Sequence, residues 1–215
     1  MNVEAFLAEL DAQNAAALAR IAVAAAREPA ADLTVARLLV LALKNELEAT
    51  ECAAGWIAST PEIDVKLALA RQAGDEAKHF RLIEKRLAEL GAAPVSYEAG
   101  PRSPLLQYLS SLEGTVERVA AGQFTREALA VVRNEEFVRF CVSRGDEATA
   151  ALYRDVIQPD EHHHHELGRQ LLSRLATTNE AQAAARRASA RTLELAEELQ
   201  EIARLKLGVS RAPGC

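Results

Sequence analysis

Aromatic residues make up only 4% of this 215-residue chain, and the turn formers are few, with Gly 10 and Pro 7. So little Gly and Pro excludes a collagen-like or low-complexity disordered chain, while 49% hydrophobic residues support a folded core. Cysteine is scarce as well: Cys52, Cys141 and Cys215 are odd in number and far apart. Neither a disulfide framework nor a CxxC metal or redox motif can be built from them, and a reducing, cytoplasmic setting fits. No uninterrupted apolar run is long enough to span a bilayer, and Met1-Asn2-Val3-Glu4 lacks the basic and apolar regions of an export signal. A soluble protein that is neither secreted nor membrane-bound is expected. Positive charge is also in deficit, Lys+Arg 25 against Asp+Glu 31 for a net −6. That balance argues against a nucleic-acid partner.

What is present is helical. Ala, Leu, Glu and Arg dominate, and β-branched residues never alternate with period two, so the fold class is all-α. A chain of this length buries roughly 70% of its unfolded surface, enough for one domain over residues 1–215. Punctuation at Glu28-Pro29, Ser59-Thr60-Pro61, the stretch from Gly91 to Pro104, Arg144-Gly145-Asp146 and Thr177-Thr178-Asn179 divides it into six helices. Their expected spans are about 3–27, 33–58, 61–90, 104–143, 147–176 and 180–207. Thr60 is expected to cap the third helix with Pro61 at its first position, Gly145 to end the fourth in a left-handed conformation and Asp146 to cap the fifth. Two antiparallel hairpins, 33–90 and 104–176, joined by a long Gly/Pro-rich crossover, have the connectivity of a four-helix bundle. The flanking helices, about 3–27 and 180–207, would cover the bundle or build a contact between two copies in a homodimer.

One internal echo carries chemistry. Asp75-Glu76-Ala77-Lys78-His79 and Asp160-Glu161-His162-His163-His164 both read DExxH, one copy in each hairpin. Residues three apart on a helix share a face, so each pair can offer a carboxylate and an imidazole to one metal ion. A partner on the neighbouring helix must lie equally far from the turn. The midpoint of Glu46 and Glu76 falls on Pro61, and that of Glu127 and Glu161 on Arg144 beside Gly145. Glu51 and Glu135 place their midpoints past the turns and are the alternatives; His165, four residues after Glu161, is the alternative to His164. Apolar stripes agree: Val35, Leu38, Leu39, Ala42, Ala49, Ala53 and Trp56 mark one helix face, and Glu46 interrupts it. An unpaired buried carboxylate costs several kcal/mol, so four of them converging in a core require cations. Four Glu and two His balance two divalent ions in an oxygen-rich site suited to iron, or to manganese.

Glu46, Glu76-x-x-His79, Glu127 and Glu161-x-x-His164 together resemble the E…ExxH…E…ExxH signature of the ferritin-like di-iron carboxylate superfamily, and Lys44-Asn45-Glu46-Leu47 is similar to the first-helix ligand segment of bacterioferritins. The resemblance covers about 33–176 and does not resolve a subfamily among ferritins, rubrerythrins, tRNA hydroxylases and O₂-activating oxygenases. It implies a cofactor of two iron ions bridged by Glu76 and Glu161, with Glu46 and Glu127 as terminal ligands and His79 and His164 each completing one shell. It also implies an oxidoreductase that meets O₂ or peroxide and a small substrate, or else an iron-storage protein. A metal-free helical interaction module is the third reading. Without a CxxC pair, the rubredoxin-like iron module of full rubrerythrins is absent. Pro159, two residues before Glu161, should kink or break its helix.

Overall fold

A computed structural model describes residues 2–26, 33–93, 102–208 and 212–214. The expected linker at 28–32, the middle of the crossover at 94–101, and Cys215 lie outside the described residues. Seven helical rods and no strand are found among the described residues: α1 (Val3–Ala26), α2 (Val35–Ile57), α3 (Ile63–Glu89), the short α4 (Pro104–Ser110), α5, α6 and α7 (Asn179–Leu207). α5 runs from Thr115–Arg118 through a π-helical stretch, Val119–Arg126, into Glu127–Ser143. α6 is built alike, from Glu147–Leu152 through a π-helical Tyr153–Ile157 into Gln158–Leu175. The all-α expectation holds, and α2, α3, α5 and α6 form the two hairpins.

Local chemistry explains most boundaries. Thr34, Ser103, Asp146 and Thr178 cap their helices by accepting from Arg37, Leu106, Thr149 and Ala181 backbone N–H groups. Gly145 sits at φ 74°, as the expected left-handed stop requires.

Three local expectations are corrected. Thr60 does not cap α3; its hydroxyl donates back to the Trp56 carbonyl at 2.9 Å, and α3 begins at Ile63 after an extended Glu62. Helix 104–143 is not continuous but breaks at 111–114, where Gly114 is extended (φ −80°, ψ 134°). Thr115 then donates to Glu62 at 2.7 Å, and the Arg118 guanidinium donates to Leu112 O at 2.9 Å and to Thr60 at 3.1 Å. Those bonds tie the start of α5 to the α2–α3 turn, which a straight extension of α4 could not do. Pro159 does not break α6 either. The π-helical stretch ends just before it, so Pro159 occupies the second position of Gln158–Leu175, where a missing N–H is tolerated.

The core comes in two apolar layers. One gathers Phe6, Trp56, Leu69, Leu106, Phe124 and Leu172; the other gathers Leu38, Leu43, Ile83, Phe137, Tyr153 and Ile157. Along each of the four bundle helices, one layer precedes and the other follows the residues singled out above. α1 and α7 lie against each other and against α5 through Ala17, Ile21, Leu129, Leu193 and Ala196, as covering helices. A buried ring of hydrogen bonds, Asn14 to Thr125 (3.1 Å), Thr125 with Ser189 (2.6 Å) and Ser189 to Asn14 (2.8 Å), fixes their register.

Candidate metal centre

Between the two apolar layers, six ionisable side chains from four helices converge. Glu46 (2% exposed), Glu76 (2%), His79 (0%), Glu127 (0%), Glu161 (2%) and His164 (1%) are all buried. They form two overlapping groups: Glu46, Glu76, His79 and Glu161 in one, and Glu76, Glu127, Glu161 and His164 in the other. In each group the four donor atoms lie within 4.8 Å of one another. Glu76 and Glu161 belong to both, so the arrangement offers two adjacent four-donor pockets sharing two carboxylates.

His79 Nδ1 lies 3.6 Å from Glu46, 3.4 Å from Glu76 and 3.6 Å from Glu161. His164 Nδ1 lies 3.5 Å from Glu127 and 3.9 Å from Glu76. The alternatives are placed elsewhere. Glu51 is exposed beside Arg102, Glu135 is exposed, and His165 bonds through Nδ1 to the Phe124 carbonyl at 2.7 Å. That carbonyl belongs to the π-helical stretch of α5, where wider turns leave backbone oxygens for side chains. His162 and His163 are exposed.

Sequence reasoning assigned no role to the first residue of each DExxH motif. Each aspartate holds the histidine of the other copy: His79 Nε2 meets Asp160 at 3.1 Å and His164 Nε2 meets Asp75 at 3.0 Å. An ionised carboxylate only accepts, so each Nε2–H donates outward and each Nδ1 is aimed at the carboxylates. Lys78 donates to Asp160 at 2.8 Å and Arg71 to Asp75 at 3.4 Å. Gln72 was read only as part of a stripe, yet its amide donates to Glu127 at 2.6 Å, and the buried Arg126 guanidinium stands 3.6 Å from the same carboxylate.

Burial pushes the Glu46 carboxyl up to about 8, and pushes Glu161 far above the usual carboxylate range. For His79, burial favours the neutral ring, but the carboxylates of Glu46 and Glu76 outweigh it and lift the imidazole to about 11. His164 rises to about 9 against the same burial effect, through Glu127 and Glu76. Glu127 moves the other way, to about 2: burial disfavours its charge, but Glu161 and His164 beside it and Arg126 more than compensate.

The donors fit metal coordination. Glu46 Oε1, Glu127 Oε2, Glu161 Oε2 and the Nδ1 atoms of His79 and His164 have no hydrogen-bond partner among the described residues. Buried polar atoms are nearly always satisfied, and metal coordination would satisfy donors of this kind.

Glycines permit the close packing around the centre. A Cβ on Gly168 of α6 would come within 2.7 Å of the Gln123 backbone in α5, and one on Gly122 within 2.8 Å of the Trp56 ring.

Among the described residues, no helix is long and apolar enough to cross a membrane. Comparison with curated proteins and with solved structures gave no match. The model of one family, described as the ferritin-like domain, matches residues 53–176. That span covers five of the six clustered residues and more than half of the chain, which therefore belongs to the ferritin-like family.

Proposed function

We propose that the buried cluster holds two divalent ions, iron first and manganese as the alternative, and that the chain is a cytoplasmic, single-domain di-metal oxidoreductase acting with O₂ or peroxide on a small substrate. The observation that carries this reading is the sharing of Glu76 and Glu161 by two adjacent donor groups whose remaining members are one Glu and one His each. Glu46 and His79 would belong to one ion, Glu127 and His164 to the other, with the shared carboxylates bridging. Oxygen-rich donor sets with one imidazole per ion suit iron and manganese, while structural zinc prefers Cys and His. When bound, such a pair supplies one- and two-electron redox chemistry and polarises an oxygen ligand.

The chain's own residues do the rest. Asp75 and Asp160 fix both imidazole rings with Nδ1 inward, the apolar layers above and below keep the centre dry, and Gln72 orients Glu127.

The test is Fe(II)-dependent oxygen consumption by the purified chain, which Glu76→Ala and His79→Ala should abolish. Protein that binds two ions per chain but never turns over with O₂ or peroxide would overturn the oxidoreductase reading. Uptake of many ions per chain into a large shell would favour storage instead.

A further inference from the structure

The faces of the candidate centre are closed by different devices. On the α3/α6 side, the crossed aspartate–histidine pairs close it with charged groups. On the α2/α5 side, the seal is a segment remote in sequence, residues 212–214. Pro213 and Gly214 are buried there, although α7 ends at an exposed Gly208. The Asn45 amide donates to the Pro213 carbonyl at 2.8 Å, and the Gly214 N–H donates to Asn134 Oδ1 at 2.8 Å. Asn45 precedes Glu46 on α2, and Asn134 lies two turns beyond Glu127 on α5. A Cβ on Gly214, which sits at φ 74°, would be 3.4 Å from the Asn45 side chain and 3.5 Å from Glu46 Oε1. That oxygen is one of the unpartnered donor atoms. Only a residue without a side chain fits this backbone conformation against a candidate ligand without strain.

We infer that segment 212–214 is a removable plug on the α2/α5 side of the centre, and that its withdrawal sets how fast metal ions and small oxidants reach Glu46 and its neighbours. The inference rests on reading the cluster as a metal centre. Three features make the plug displaceable. Among the described residues, two hydrogen bonds between neutral groups hold it, both to asparagine side chains. Pro213 has no N–H with which to extend the contact. Asn134 is buried with its Nδ2 unpartnered among the described residues, so the pocket that receives Gly214 is only half satisfied. The opposite side is held by hydrogen bonds to ionised carboxylates, which are stronger than bonds between neutral groups.

The experiment loads the full chain, a chain that stops at residue 211, and full-length Gly214→Val with Co(II), and follows release to excess chelator by the loss of visible absorbance. Gly214→Val keeps the segment but denies it the pocket, so the two variants displace the plug by different means, and circular dichroism verifies that both are folded. The plug predicts equal Co(II) content in all three proteins and release at least tenfold faster from both variants. Equal content with equal release rates would overturn the plug while leaving the metal centre standing. A folded wild-type chain that takes up no Co(II), Fe(II) or Mn(II) would overturn the metal centre, and the plug with it.

Discussion

Asp75 and His164 meet at 3.0 Å across the α3–α6 interface, although each belongs to a different copy of the same five-residue motif. The reciprocal pair, Asp160 and His79, meets at 3.1 Å, so the two copies are locked head to tail. Each aspartate thereby sets the tautomer and direction of a histidine on the other helix. Replacing either with Ala should weaken metal binding about 10- to 100-fold while the helix content is kept. The crossing gives the prediction its particular form. In Asp75→Ala the perturbed imidazole is His164, not His79 one helical turn away in the same motif, and histidine NMR resonances of the metal-loaded protein distinguish the two. A change confined to His79 would contradict the crossed arrangement.

The protonation of the cluster makes metal-free stability fall, and the stabilisation by bound metal grow, as pH rises. The folded, metal-free chain holds protons on Glu46 up to about 8, on His164 up to about 9 and on His79 up to about 11. In the unfolded chain these groups titrate at their ordinary values, lower in every case. The histidine contributions are complete below the unfolded imidazole value and fade as pH rises through the folded values. The cost of charging Glu46 is absent at low pH and grows as pH rises. The folded state thus binds more protons than the unfolded between about pH 5 and 11, and metal-free stability should fall across that window. Metal ligands must shed those protons, so affinity should climb over the same range. Melting curves from pH 6 to 8 should show a falling Tm without metal and a growing increment on adding Fe(II) or Mn(II). An increment independent of pH would contradict the proton-for-metal exchange.

Close approach of α5 and α6 depends on one missing methyl group. A Cβ at Gly168 would lie 2.7 Å from the Gln123 carbonyl carbon and 2.8 Å from Phe124 N, both backbone atoms that cannot rotate aside. Gly168→Ala should therefore destabilise the fold by about 1–3 kcal/mol despite the better helix propensity of Ala. Thermal or urea unfolding measures this directly. A neutral or stabilising effect would mean that the π-helical stretch of α5 yields easily.

The bundle was legible in the sequence because the signals were redundant. Alternation was absent, Gly145-Asp146 marked a turn by conformation and by capping, and each acid on an apolar face had a counterpart at matching height on the next helix. Glu46, Glu76, His79, Glu127, Glu161 and His164 could be picked out for that reason, and the structure brings all six together. What was missed lacks a local signature. A π-helical stretch is imposed by packing, so Val119–Arg126 and Tyr153–Ile157 read as ordinary helix. The second also explains why Pro159 does not break its helix, a conclusion that propensity alone reverses. Thr60 looked like a cap because the α2–α3 turn offers it two roles, and the Trp56 carbonyl won. The aspartates of DExxH were visible, but nothing local in sequence tells that each serves the other copy. The placement of residues 212–214 beside Asn134 and Asn45 spans 80 residues of sequence in one case and 168 in the other, beyond any periodicity.

The central claim is that buried acids from four helices are tolerated because a pair of divalent ions neutralises them. The most direct measurement is elemental analysis of the full chain purified without chelators, paired with anomalous diffraction at the iron and manganese edges. The account predicts two ions per chain, one beside Glu46 and His79, the other beside Glu127 and His164, both touching Glu76 and Glu161. Crystals grown with excess Fe(II) or Mn(II) that show no anomalous peak among these six residues would contradict it.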